Sequence, residues 1–289
     1  MLQTRPTSIP RTTELPMELE REVIEWAARA HRTCAVKLAL VGKRFQAWSE
    51  PIIYETVVLD EGYPATSTTM FLRTLRSRPA EFFAQNVKNI YLTSAIQFHQ
   101  AQKILSICTG ATNIACWADP GPNADCSVLL NRREPLRRLS SKLEVLCQIE
   151  TTNTAPPMRL NVPPDAFINL SHLDIVNPPF IAFDGTWLHS LPALTHLAFG
   201  DLLTPYHLHM FDVFSGLLSE CKLLKTLVIM SSDRLFSVEL EKSGLCDQRV
   251  VFLPCYHYPR SAKEYWQDIR RGGSDFWEFA DQMVGSLTS

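Results

Sequence analysis

Paired cysteines are missing from this 289-residue chain. Its eight cysteines (Cys34, Cys108, Cys116, Cys126, Cys147, Cys221, Cys246 and Cys255) show no C-x-x-C spacing, so neither a redox dithiol nor a zinc site is indicated. The nearest thing to a ligand cluster is Cys246, Cys255 and His257, three residues at irregular spacing where a structural site takes four. No metal and no cofactor are implied. Glycine is scarce, 11 residues against 19 prolines, which disfavours loops that cradle phosphate, because close backbone approach needs a residue without a side chain. Excess charge of one sign is also absent. Lysine plus arginine (28) nearly balance aspartate plus glutamate (30), leaving no uniform field to draw in nucleic acid or an anionic membrane. Long apolar runs are lacking too. The best candidate, residues 217–230, is interrupted by Glu220, Lys222 and Lys225, well short of the ~20 apolar residues of a membrane span. Residues 1–13 hold Arg5 and Arg11 but no apolar run long enough for a secretory signal, and read as a disordered lead-in. The expected compartment is cytoplasmic or nuclear, with no membrane and no nucleic-acid partner.

Catalytic signatures are equally sparse. The chain has no G-x-S-x-G elbow, no G-x-x-x-x-G-K-[ST] loop, no G-x-G-x-x-G and no H-E-x-x-H. His172 with Asp174, and His189 with His196, could serve as acid-base partners, but no nucleophile or oxyanion hole accompanies them. The chain reads as not an enzyme.

What is present is enough apolar material, 46% of residues, for one large core or two modest ones. Apolar positions Leu15, Leu19, Val23, Ile24, Ala27 and Ala28 recur at helical spacing from Pro16 onward. Proline suits a helix start, and Glu18, Glu20 and Glu22 complement the positive end of the helix dipole. A second helical pattern carries Val36, Leu38, Leu40, Val41, Phe45 and Trp48, and Pro51 is expected to end it.

These residues carry a resemblance. The Leu15-Pro16-Met17-Glu18-Leu19 opening, the segment from Leu38 through Phe45 to Trp48, then Glu50-Pro51-Ile52-Ile53-Tyr54 and Val57-Val58-Leu59 together resemble a divergent F-box. In that family a compact helical module docks on the Skp-type adaptor of a cullin-RING ubiquitin ligase. Carried over by position, the resemblance implies that Leu15, Pro16, Leu19, Ile24, Val41, Phe45 and Trp48 face the adaptor or hold the module together. Residues 27–34 depart from the family, which has an apolar stretch and then an acidic-Leu step there. The alternative reading makes this segment a helical cap over one end of the following domain.

Downstream, a relaxed L-x-x-L-x-L motif recurs as Val87-Ile90-Leu92, Ala111-Ile114-Cys116, Leu170-Leu173-Ile175, Leu194-Leu197-Phe199 and Leu224-Leu227-Ile229, with a partial copy at Leu136-Leu139. One copy means little; the spacing carries the signal. The central residues Ile90, Ile114, Leu139, Leu173, Leu197, Leu227 and Val251 are 24, 25, 34, 24, 30 and 24 residues apart. Several intervals fall within the ~20–29 residues of a leucine-rich repeat. Such a period makes physical sense because one short strand with its return segment cannot bury its own apolar face, whereas stacked copies share a core. No copy has the Asn or Cys of an ideal repeat, so the resemblance is to irregular relatives. A single compact α/β sheet domain would give similar strands at similar intervals.

The last apolar run, Arg249 to Leu253, reads as a final strand, followed by Tyr265, Trp266, Phe276, Trp277 and Phe279 on helices, with Asp275 and Glu278 in an approximate capping box. This tail is expected to cover the open end of the last repeat. It resembles the ending of fungal F-box-like proteins with irregular repeats, with Gly273, Asp275 and Trp277 in place of a Gly-x-Asp-x-Trp helix start.

The expected fold is therefore α/β: a lead-in (1–13), an F-box-like helical module (14–60), an irregular leucine-rich-repeat-like solenoid with parallel strands (61–260) and C-terminal capping helices (261–289). Alternation along the strands would leave Asn89, Tyr91, Asn113, Trp117, Arg138, His172, Asp174, His196 and Thr226 on an exposed concave face for a protein substrate of unknown identity. Tyr91 and Trp117 are its candidate anchors. The expected function is that of a non-catalytic adaptor, a substrate receptor of an SCF-type ligase with a Skp-type adaptor as partner. The alternatives are a repeat scaffold with no ligase role and, third, a hydrolase on a compact α/β sheet, which would need a deep pocket with clustered ionisable groups.

Overall fold

The structure is a computed structural model that describes residues 15–60, 66–120, 132–148, 159–160, 167–176, 178, 185–254 and 275–287. The lead-in, Cys126, Cys255, His257, Tyr265, Trp266 and Gly273 lie outside the described residues. The chain divides into two compact units between Tyr54 and Glu55. The boundary falls earlier than the 14–60 module read from the sequence.

In the first unit α1 (Met17–Ala30) starts directly after Pro16, whose carbonyl accepts from Glu20 N at 2.9 Å. Glu18 and Glu20 occupy its positive first turn. His31, with extended backbone, separates it from α2 (Arg32–Ala39). A turn through residues 40–42 leads to α3 (Lys43–Tyr54). Pro51 does not end this helix but sits inside it. The break comes before it, at Gly42, whose carbonyl then accepts from Gln46 N at 2.8 Å to start α3. A proline in the last turns removes one hydrogen bond and leaves the rest of the ladder to carry the helix on to Tyr54.

The second unit is α/β, built on an eight-stranded parallel sheet whose strands follow chain order. In that order they are β1 (Thr56–Leu59), β2 (Asn89–Leu92), β3 (Asn113–Cys116), β4 (Arg138–Ser141), β7 (His172–Ile175), β8 (His196–Phe199), β9 (Thr226–Ser231) and β10 (Val250–Pro254). A small antiparallel pair, β5 (Cys147–Gln148) with β6 (Arg159–Leu160), lies in the widest interval between strands. Val57-Val58-Leu59, read with the helical module, forms the first strand instead and pairs with β2. Between strands run α4 (Thr66–Ser77), α5 (Ala80–Asn86), α6 (Phe98–Ile107), the single turn α7 (Leu143–Leu146), a 3-10 turn at Thr186–Ser190, α8 (Met210–Glu220) and α9 (Arg234–Lys242).

The motif centres line up in one row: Val57, Ile90, Ile114, Leu139, Leu173, Leu197 and Leu227 are successive register partners. All seven are buried, and fully hiding each aliphatic contributes about 1.5–3 kcal/mol. The last strand departs by one residue, since Val250 rather than Val251 pairs with Leu227. Return helices bury their apolar stripes, Ala101, Ile104 and Leu105 on α6 and Met210, Val213, Phe214 and Leu217 on α8. The Phe214 ring meets Phe199 at 5.4 Å, which places α8 on the Leu197 side of the sheet. At Gly110 the chain passes so close to α5 that an added Cβ would lie 1.8 Å from the Ala84 carbonyl oxygen.

The final helix, α10 (Phe276–Leu287), lies across the opposite face rather than over the end of the sheet. Phe276, Trp277 and Ala280 cluster with Ala198 of β8, Val228 and Met230 of β9, and Val251 and Leu253 of β10. Asp275 reaches Arg138 on β4. Four sheet spacings of ~4.8 Å make ~19 Å, and a 12-residue helix is ~18 Å long. The helix can therefore run across the strands, which explains why β8 and β9 are buried along their whole length.

Candidate protein-binding surfaces

In the first unit, Leu15, Pro16, Leu19 and Val41 are exposed, Val41 to 66%. Ile24, Phe45 and Trp48 are half-buried. Phe45 and Trp48, both on α3, meet edge to face at 5.8 Å under the Arg44 guanidinium, which also pairs with Glu20 of α1 at 2.6 Å. The sequence reading missed larger exposed groups: Met17, Val23, Trp26 (74% exposed), Val36 and Leu40 (82%). Leu19, Val23 and Trp26 are four and three residues apart and share one helix face, a pattern that in sequence looks like any buried stripe. Buried Ala28 and half-buried Ile24 mark the other face, so α1 has two apolar stripes and only one is used internally.

The second surface is the sheet face under α10. Asn89, Asn113, Arg138, His172, His196 and Thr226 are register partners in one row. Tyr91 and Asp174 stand in the next row, and Trp117 directly follows β3. The expected open exposure is not observed. Tyr91, Trp117, Asp174, His196 and Thr226 are buried, Asn89, Asn113 and His172 are half-buried, and Arg138 alone of the nine is exposed. For His196 and Thr226 the cause is α10, whose Asp281 accepts from Thr226 Oγ1 at 2.9 Å and lies 3.0 Å from His196 Nε2.

The face is a chain of polar contacts. Asn113 donates to Asn89 at 2.7 Å and Asn89 to Thr56 at 3.0 Å. Trp117 Nε1 donates to Ser140 Oγ at 2.8 Å, and Ser140 donates to Asp174 Oδ2 at 2.6 Å. The buried indole is thus not a free anchor but one end of a network. Ser140, which sequence reading did not single out, was findable as the residue two beyond Arg138 on the same face. Arg138 Nη1 meets Asp275 Oδ2 at 2.7 Å, while Asp275 Oδ1 caps α10 by accepting from Glu278 N at 2.9 Å. The imidazoles of His172 and His196 stack, and the Trp277 ring stands nearly perpendicular to both, with centroids 5.4 and 5.8 Å away.

Electrostatics follow from burial. Desolvation, then the neighbouring His196 and Arg138, push the His172 imidazole down to about 3. Burial also lowers His196, partly offset by Asp281. The Tyr91 phenol is pushed up to about 12 by burial. Both imidazoles are held neutral, acting as hydrogen-bonding flat surfaces rather than as cations. A cleft of about 60 Å³ remains at the start of α10, lined among others by Tyr91, Arg138, His172, Asp174, Asp275 and Trp277. It has room for a few water-sized groups. The serine hydroxyl in it hydrogen-bonds a carboxylate, not an imidazole.

Among the described residues no group of three His, Cys, Asp or Glu could hold a metal ion, and no helix is long and apolar enough to cross a membrane. Comparison with protein-family models, with curated proteins and with solved structures finds no match.

Proposed function

We propose that this chain is a non-catalytic protein-interaction adaptor, the substrate receptor of a cullin-RING ubiquitin ligase of the SCF type. In this reading the first unit is an F-box-like module that docks on a Skp-type adaptor. The second is an irregular leucine-rich-repeat-like solenoid that captures a protein. The observation that carries the reading is the unused apolar stripe of α1 with exposed Leu15, Leu40 and Val41 beside it in the chain. A small helical unit that leaves that much apolar surface in water is suited to burying it against a partner. The in-register row of seven aliphatic residues, 24 to 34 residues apart, supports the repeat reading of the second unit. No residue need do chemistry. The receptor works by proximity, holding a target near the ligase-bound ubiquitin donor and raising its effective concentration.

Co-expression with a Skp-type adaptor tests the proposal. The two are expected to purify together in a stoichiometric complex. The scaffold reading, favoured by the departure of residues 27–34 from the F-box pattern, predicts that the adaptor is left behind.

A further inference from the structure

One face of the sheet is covered by α10. The inner stripe of α10 presents Phe276, Trp277, Ala280, Met283 and Val284 to strands β8, β9 and β10. Two acids flank the aromatic pair, Asp275 on Arg138 and Asp281 on His196 and Thr226. This is how an amphipathic helix sits on a receptor: apolar residues at helical spacing against the groove, an ion pair at the first turn through Asp275 and hydrogen bonds from neutral groups to Asp281 midway along.

Three features mark the seat as separable from the sheet. The cleft beneath the first turn of α10 is lined from one side by the sheet and from the other by Asp275, Phe276 and Trp277, so this joint is not filled to the density of a core. Each polar contact keeps one partner in water, the Arg138 side chain exposed to 45% in its ion pair with Asp275 and the Asp281 side chain to 50% in its hydrogen bond with neutral His196. Gly285 weakens the helix without serving its packing, since a Cβ there would meet nothing within 4 Å. A 12-residue helix does not hold itself together in water. Undocking and unwinding are therefore one event.

We propose that the face carrying Arg138, His172, His196 and Thr226 is a receptor for an amphipathic helix of a partner protein bearing an aromatic pair between two acids, and that α10 is its resident, displaceable occupant. The inference rests on the reading of this unit as a protein-capturing domain and adds to it the class of ligand and a self-occupied ground state. A partner helix with a bulkier first turn would also fill the cleft that α10 leaves.

The test uses the full chain and a fluorescein-labelled peptide with the sequence of residues 274–287, followed by anisotropy. Ala280 lies on the inner face of α10 and is fully buried against the sheet, so Ala280→Arg displaces the helix from its seat. The variant is expected to bind the peptide at least tenfold more tightly than the wild-type chain, whose face is occupied, and Arg138→Glu added to it is expected to abolish the gain. Equal peptide binding by wild type and variant would overturn the inference. Hydrogen exchange on the wild-type chain decides independently should Ala280→Arg unfold. Amides of α10 are expected to exchange at least a hundredfold faster than those of β8 and β9, and equal protection would make α10 an integral part of the fold. Neither readout involves the Skp-type adaptor, so a chain that fails adaptor binding can still pass, and one that binds adaptor can still fail.

Discussion

The imidazole rings of His172 and His196 stack with centroids 4.1 Å apart and planes 3° from parallel, each bound through Nδ1 to the hydroxyl of the preceding residue. Two such rings cannot both be charged at that separation, and burial holds His172 neutral down to about 3. An unfolded histidine takes up its proton near pH 6.5. Between these values the unfolded chain binds more protons than the folded one, so stability from this site is complete above about pH 6.5 and is lost as pH falls toward 3. His172 is half-buried, so the loss is about 1 kcal/mol per pH unit at most. Thermal unfolding between pH 7 and pH 5 is expected to show a falling midpoint in the wild-type chain and a flatter dependence in His172→Gln. Parallel curves would remove the stack from the account.

Ser140 joins the Trp117 indole to the Asp174 carboxylate inside the sheet face. Ser140→Ala removes a donor from the carboxylate and the acceptor of the indole together. The expected cost is about 1–3 kcal/mol, read as a lower denaturant midpoint with unchanged slope. A variant as stable as the wild type would mean that other groups satisfy both partners.

Two glycines separate steric need from helix propensity. Gly110→Ala drives a Cβ into the backbone of α5, which cannot move aside as a side chain can, and is expected to cost about 1–3 kcal/mol or more. Gly285→Ala meets open space inside α10 and is expected to stabilise that helix by about 0.5–1 kcal/mol. Calorimetry and hydrogen exchange read both signs.

The strands were legible because each is short, has an apolar centre and recurs at a period that only shared burial explains. Ile90, Ile114, Leu139, Leu173, Leu197 and Leu227 stand in register where the spacing put them. The last strand was read one residue out because Val250, Val251, Phe252 and Leu253 are all apolar, and a run without alternation does not say which side faces the core. The role of Val57-Val58-Leu59 was hidden by its position next to a helical motif. The polar face was legible residue by residue, yet its occupancy was not. Nothing local to Asp281 marks it as the partner of a histidine 85 residues away. That contact exists only once α10 has crossed the strands. Likewise, the stripe of Leu19, Val23 and Trp26 reads in sequence like any buried helix face, and only the packing of α1 leaves it outside.

The central claim is that the first unit docks on a Skp-type adaptor, and titration calorimetry of the full chain against that adaptor tests it most directly. Leu15 and Val41 are exposed, so changing them leaves the folded unit intact while removing docking area. With about 1.5–3 kcal/mol for each buried aliphatic and 1.4 kcal/mol per tenfold in affinity, Leu15→Asp with Val41→Asp is expected to weaken binding by a factor of about 100 or more. Tight binding by the wild-type chain and its loss in the double variant is the predicted result. An adaptor that does not bind the wild-type chain, or binds both alike, would contradict the claim.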